Sequence, residues 1–98
     1  MPTLTAQEVR RSKRIITKTG ASLVIDLASR AKRIPCLIVD WSPEGFRVRL
    51  GARLRRGQLV EVIPHNDPLH TIRCSVVWIG KLGSKQEGQI GLQVQRVH

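Results

Sequence analysis

Apolar residues recur at every second position in several short runs of this chain. In residues 22–27, Leu23, Ile25 and Leu27 share one side and Ser22 and Asp26 the other. Phe46, Val48 and Leu50 alternate with Arg47 and Arg49. Ile72, Cys74, Val76 and Trp78 alternate with Arg73 and Ser75, and Ile90, Leu92 and Val94 form a last apolar face. A two-residue period sends successive side chains to opposite faces, so each run predicts a half-buried strand. Residues 34–39 are almost continuously apolar and β-branched, which predicts a strand covered on both sides. Residues 59–63 give another β-rich run, closed by Pro64.

Short polar or glycine-bearing connections separate these runs. The hexapeptide at 40–45, with Pro43 and Gly45, predicts a hairpin turn in which Gly45 takes a positive φ. His65-Asn66-Asp67-Pro68 is a loop signal, and residues 80–88 read as a turn. No amphipathic helix, heptad or internal repeat stands out. Six strand candidates in 98 residues predict an all-β fold, a six-stranded antiparallel barrel whose closure removes exposed edges. The chain has room for one domain with a modest core. It divides into an arm at 1–9 and a barrel domain at 10–98 that includes a flexible basic segment.

Charge narrows the choice of partners. Seventeen Lys and Arg against seven Asp and Glu give a formal net charge of +10, a field that attracts phosphates, nucleic acid or an acidic protein surface. The cations are concentrated between 10 and 56. Those in the connection 51–57 read as a solvated face, whereas Arg10, Arg11, Lys13 and Arg14 crowd together just before the first strand run. Cys36 and Cys74 lie inside apolar runs and read as buried thiols. With His65 and His70 they lack the close ligand spacing of a zinc site, so neither a metal nor another cofactor is expected. No apolar run approaches the roughly 18 residues that cross a bilayer, and the first residues lack the apolar stretch of a signal peptide. A cytoplasmic protein without membrane insertion is the expectation.

Arg10 and Arg14 form an Arg-x-x-x-Arg pair, and Asp40, Ser42 and Gly45 an Asp-x-Ser-x-x-Gly pattern. In this order and strand context they resemble the signature of the PilZ domain, a bacterial receptor for cyclic di-GMP. The late Val77-Trp78 and Ile90-Gly91 pairs are similar to that family as well. The resemblance implies a six-stranded barrel, here without a long C-terminal helix, since the sequence ends just after the last strand run. It also implies that Arg10, Arg11 and Arg14 clamp phosphates and guanine faces. Val9, just before the first motif arginine, points to one bound ligand molecule.

The side-chain chemistry fits such a ligand. Arginine can pair with phosphate, stack on a purine, or bond bidentately to guanine O6 and N7. A carboxylate accepts from the N–H groups of the guanine Watson–Crick edge without offering a competing donor, a role for Asp40. Ser42 can bond the base or order the loop. Trp78 can stack on a base from the barrel rim, or pack in the core with Val76 and Cys74. The expected function is a non-catalytic switch that binds cyclic di-GMP and alters the surface shown to an effector protein. Two alternatives stand beside it. One is a nucleic-acid-binding barrel, which the scarcity of aromatic residues disfavours. The other is a PilZ-like adaptor that no longer binds nucleotide. The three histidines make no nucleophile and base pair that spacing supports, so no enzyme is expected.

Overall fold

The computed structural model describes residues 15–95. Six strands account for most of them: β1 (Ile15–Ile25), β2 (Lys32–Ser42), β3 (Gly45–Arg49), β4 (Leu59–Pro64), β5 (Ile72–Ile79) and β6 (Gln89–Val94). They close into a barrel in the order β1-β2-β3-β6-β5-β4, with β4 returning to β1. Every neighbouring pair is antiparallel. This is the all-β barrel that the alternating runs predict, and no described residue is helical.

The inner face follows the alternation closely. Leu23 of β1 pairs with Val62 of β4, and both are fully buried with Ala21 and Val60. Cys74 and Val76 from β5, Ile90 and Leu92 from β6, and Phe46 and Val48 from β3 complete the ring. Leu50 and Leu54, just beyond β3, cover one end. Each fully buried aliphatic side chain stabilises the fold by about 1.5–3 kcal/mol, so this ring carries the barrel.

Three expectations need correction. The first strand begins at Ile15 where the period predicts residue 22, and it ends at Ile25. A register shift between Ile16 and Thr19 interrupts the two-residue period, which hides the early half of β1 in the sequence. At the other end Asp26 adopts φ 56° and opens a turn. There the N–H of Ser29 donates to Asp26 O at 3.2 Å, and aspartate tolerates the left-handed region better than most residues. Leu27 therefore lies in the turn and leaves the core face.

Second, β2 is covered on one side only. Ile38 is buried, whereas Leu37 and Val39 are half-buried and Pro35 is exposed. A barrel wall one strand thick has a single core face, so even a continuously apolar run leaves one side facing water. Third, Cys74 is buried but Cys36 is only half-buried. Burial pushes the Cys74 thiol up to about 12 and that of Cys36 to about 11, from an ordinary value of 9.0. Both are neutral and unreactive near neutral pH. No group of three or more His, Cys, Asp or Glu suited to a metal occurs among the described residues. No helix long and apolar enough to cross a membrane occurs among them.

Candidate functional site

The hairpin between β2 and β3 is tighter than the sequence predicts. Asp40 and Ser42 belong to β2 itself, and Ser42 already pairs with Gly45, which leaves Pro43 and Glu44 as a two-residue loop. The Glu44 N–H donates to Ser42 Oγ at 3.3 Å, and the Ser42 hydroxyl donates to Glu44 Oε1 at 3.3 Å. Ser42 thus orders the loop, one of the two roles open to it. The Val94 N–H donates to Glu44 O at 2.8 Å, which pins the hairpin to β6.

Gly45 does not take the expected positive φ; among the glycines described, Gly57, Gly83 and Gly88 do. Its requirement is spatial. A Cβ at Gly45 would lie 2.0 Å from Leu92 O, a backbone atom of the neighbouring strand. Only glycine allows β6 to pass this close to the hairpin.

Two irregularities in the ladder decide which side chains face outward. Between β2 and β3 the pairing runs Ile38↔Val48 and then Asp40↔Arg47, so Val39 is an extra residue. Between β5 and β6 it runs Val76↔Leu92 and then Trp78↔Gly91, so Val77 is extra. A bulge of this kind bends the strand and re-aims the residues beyond it. Val48 and Leu92 point into the core, so their neighbours Arg47 and Gly91 point out, and each bulge delivers its own strand to that outer face. Trp78 accordingly leaves the face of Cys74 and Val76, against the core-packing expectation, and is 37% exposed.

Arg47 also pairs with Gly91. Asp40, Arg47, Gly91 and Trp78 therefore form one continuous row across β2, β3, β6 and β5. Ser42, Gly45, Gln93 and Ser75 form a parallel row beside it.

Within the first row the contacts are specific. Arg47 Nε donates to Asp40 Oδ2 at 2.8 Å, and Arg47 Nη2 pairs with the same oxygen. The Asp40 side chain is only 3% exposed and that of Arg47 36%, so the guanidinium partly covers a carboxylate that could not be desolvated without a cation. At the far end the indole of Trp78 lies on Gly91, where a Cβ would sit 2.1 Å from Nε1. Gly91 thus seats the ring flat on the sheet, with its outer side open.

An open cavity of about 480 Å³ lies along these rows, lined by Glu44, Gly45, Arg47, Trp78, Gly91 and Gln93 together with their neighbours. Arg47 and Trp78 also line an adjoining hollow of about 360 Å³. The groove offers a half-exposed guanidinium and an aromatic face, and behind the guanidinium, outside the groove lining, lies the buried Asp40 carboxylate. These are a cation, a stacking platform and an acceptor for a charged, planar ligand.

The structure brings together Asp40, Ser42, Gly45 and Trp78 of the residues expected from sequence. Arg10, Arg11 and Arg14 lie outside the described residues. Ile15, which follows Arg14, pairs with Trp41 and Ile16 with Asp40, so the chain enters the barrel beside the acidic end of the row. Arg47 and Gly91 escaped the sequence reading as site residues. Arg47 was visible as a polar-face residue opposite Asp40 across a hairpin, but its alignment depends on the bulge at Val39. Gly91 gains its role only from the indole above it.

The sequence matches the family described as PilZ domain over residues 8–98, a span that takes in all six strands. No curated protein matches the chain.

Proposed function

The chain belongs to the PilZ domain family, and on that premise we propose that it binds cyclic di-GMP on the outer face of β2, β3, β6 and β5 and reports the bound state to a partner protein. The family is one of cyclic di-GMP receptors, and its domains are generally non-catalytic binding domains. The observation that carries the reading for this chain is the row Asp40–Arg47–Gly91–Trp78, with Ser42 and Gly45 alongside.

Asp40 accepts from the guanine Watson–Crick edge, and Arg47, already beside it, supplies the positive charge that keeps a buried carboxylate ionised while it does so. The open side of the Trp78 indole stacks on a base. Arg10, Arg11 and Arg14 supply cations for the two phosphates from the segment that leads into β1. Ligand binding draws that segment onto the barrel and changes the surface at the start of β1, which is the signal a partner reads. Amide exchange at residues 8–14 that is equally fast with and without ligand would exclude this switch.

Calorimetric titration at physiological salt tests the binding itself, with cyclic di-GMP, GTP and a short single-stranded oligonucleotide as ligands. Saturable binding of cyclic di-GMP alone is expected, weakened by about 1–3 kcal/mol in Asp40→Ala and in Arg14→Ala. No heat with cyclic di-GMP, together with steeply salt-dependent binding of the oligonucleotide, would replace this function with a nucleic-acid-binding one.

A further inference from the structure

A second concave surface lies at the end of β3 and β6 remote from the hairpin. There the connections 50–58 and 80–88 meet, held by the Leu50 N–H donating to Gly88 O at 3.1 Å and the Gly80 N–H donating to Gln89 O at 2.9 Å. Between them runs a groove of about 590 Å³. Leu50, Leu54 and Ile90 form its buried floor, while Ile79 and Leu82 stand on its wall 42% and 82% exposed. A leucine this exposed on a folded loop loses hydrophobic stabilisation that a partner would restore.

The connections that form the rim are basic. Arg53 lines the groove, and Arg55, Arg56, Lys81 and Lys85 are exposed on the same two connections outside its lining. Glu87, the carboxylate within these two connections, also lines the groove, and it accepts from the Gly83 N–H at 2.9 Å. The groove wall is stiff as well, because a Cβ at Gly80 would lie 1.8 Å from Gln86 O, so the loop is folded tightly onto its own start. Gln89, which lines the groove, holds its Oε1 buried without a hydrogen-bond donor. An incoming backbone N–H would satisfy that acceptor once the carboxamide turns outward.

We infer that this groove docks a segment of an acidic protein, with one apolar side chain seated against Ile79 and Leu82 and a flanking carboxylate on the Arg53 side. The rim selects the sign of the partner and the groove its apolar anchor. A second copy of this chain would set one basic rim against another at a net charge of +10 per molecule, which like-charge repulsion opposes. Nucleic acid is poorly served, since the lining holds no aromatic residue on which a base could stack. A bilayer surface cannot fill a cleft that recedes between two loops. The inference does not depend on the identity of the nucleotide, and its test contains none.

The test pans a random dodecapeptide library against the intact chain, with a Leu82→Asp variant panned in parallel. The enriched peptides are then titrated as fluorescein conjugates, followed by anisotropy and by amide chemical shifts. Sequences that combine Glu or Asp with one large apolar residue are expected. Their affinity should drop about tenfold or more in Leu82→Asp and in Arg53→Glu, with shifts centred on residues 50–54 and 79–90 and with Asp40→Ala unaffected. Leu82 and Arg53 are both too exposed for their replacement to unfold the barrel, and the arginine provides an independent check. Enrichment equal on the Leu82→Asp variant, or enriched sequences without acidic residues, would overturn the inference. Leu82-dependent binding to phosphatidylserine vesicles or to a single-stranded oligonucleotide with no peptide selected would overturn it in favour of those partners.

Discussion

The wall made by β1 and β4 and the wall made by β2, β3, β6 and β5 obey the same alternation and end with different surfaces. From Ala21↔Pro64 to Val24↔Glu61 the first pairing runs without a shift. Its inward positions are Ala21, Leu23, Val60 and Val62, all fully buried. The second wall carries a shift after Ile38 and another after Val76. Each inserts one residue, and the two together set an acid, a cation and an indole in one outward row. Regular pairing builds the core, whereas interrupted pairing builds the groove at which we place the ligand.

Substitutions in the two walls should therefore fail in different ways. The largest loss of stability is expected in the regular wall, where Leu23→Ala removes a fully buried side chain and should cost about 2–5 kcal/mol by urea denaturation. Its effect on ligand affinity should be small once the folded fraction is taken into account. Gly45→Ala comes next. Its Cβ meets the backbone oxygen of Leu92, so β6 must move, at a cost of about 1–3 kcal/mol in stability together with loss of binding. Gly91→Ala meets a side chain, not backbone. The indole can swing away, so the melting temperature should hardly change while cyclic di-GMP binding weakens.

Arg47→Met sharpens the contrast further. It removes a charge-assisted pair with Asp40, and charged hydrogen bonds contribute about 1.5–3 kcal/mol. Both stability and ligand affinity should fall, with the affinity loss persisting under conditions where the fold is intact. At the seam between the two walls, where β4 pairs with β5, a second ion pair, Arg73 to Glu61 at 2.9 Å, is more exposed. Arg73→Met should cost no more than about 1 kcal/mol and leave binding unchanged.

The thiols come last, because they contribute nothing near neutral pH. Both titrate higher in the folded protein, near 11 and 12, than the ordinary 9.0. Below pH 9 both states hold the proton and the thiols contribute no pH dependence. Above pH 9 the unfolded chain releases protons that the folded chain keeps, so stability falls as pH rises towards 11 or 12. Thermal melts between pH 8 and 10.5 should show this decline, and Cys74→Ala should remove roughly half of it, leaving the Cys36 contribution.

The same contrast governs how much of the molecule can be read from sequence. Leu23, Val48, Cys74 and Leu92 announce their faces because the period of two around each of them is intact. The barrel and most strand limits follow from such residues alone. Legibility fails at the interruptions. The early half of β1 is obscured by the shift after Ile16, and the period continued through Val77 assigns Trp78 to the core. Asp40 and Ser42 were visible as a motif, but their neighbour Arg47 acquires its place only when Val39 is counted as an extra residue. Gly45 stands out in the sequence for conformational freedom it does not use. What it provides is absence of volume, a property of the strand opposite and therefore invisible in its own sequence.

The most direct test of the bulge-built row is a ¹⁵N-resolved NMR titration of the intact chain with cyclic di-GMP. The indole N–H of Trp78 and the amides of Arg47, Gly91 and Gly45 should shift together along one saturation curve, while Leu23, Val60 and Val62 stay in place. Shifts confined to the β1–β4 wall, or none in the row at ligand concentrations that saturate binding by calorimetry, would contradict the account.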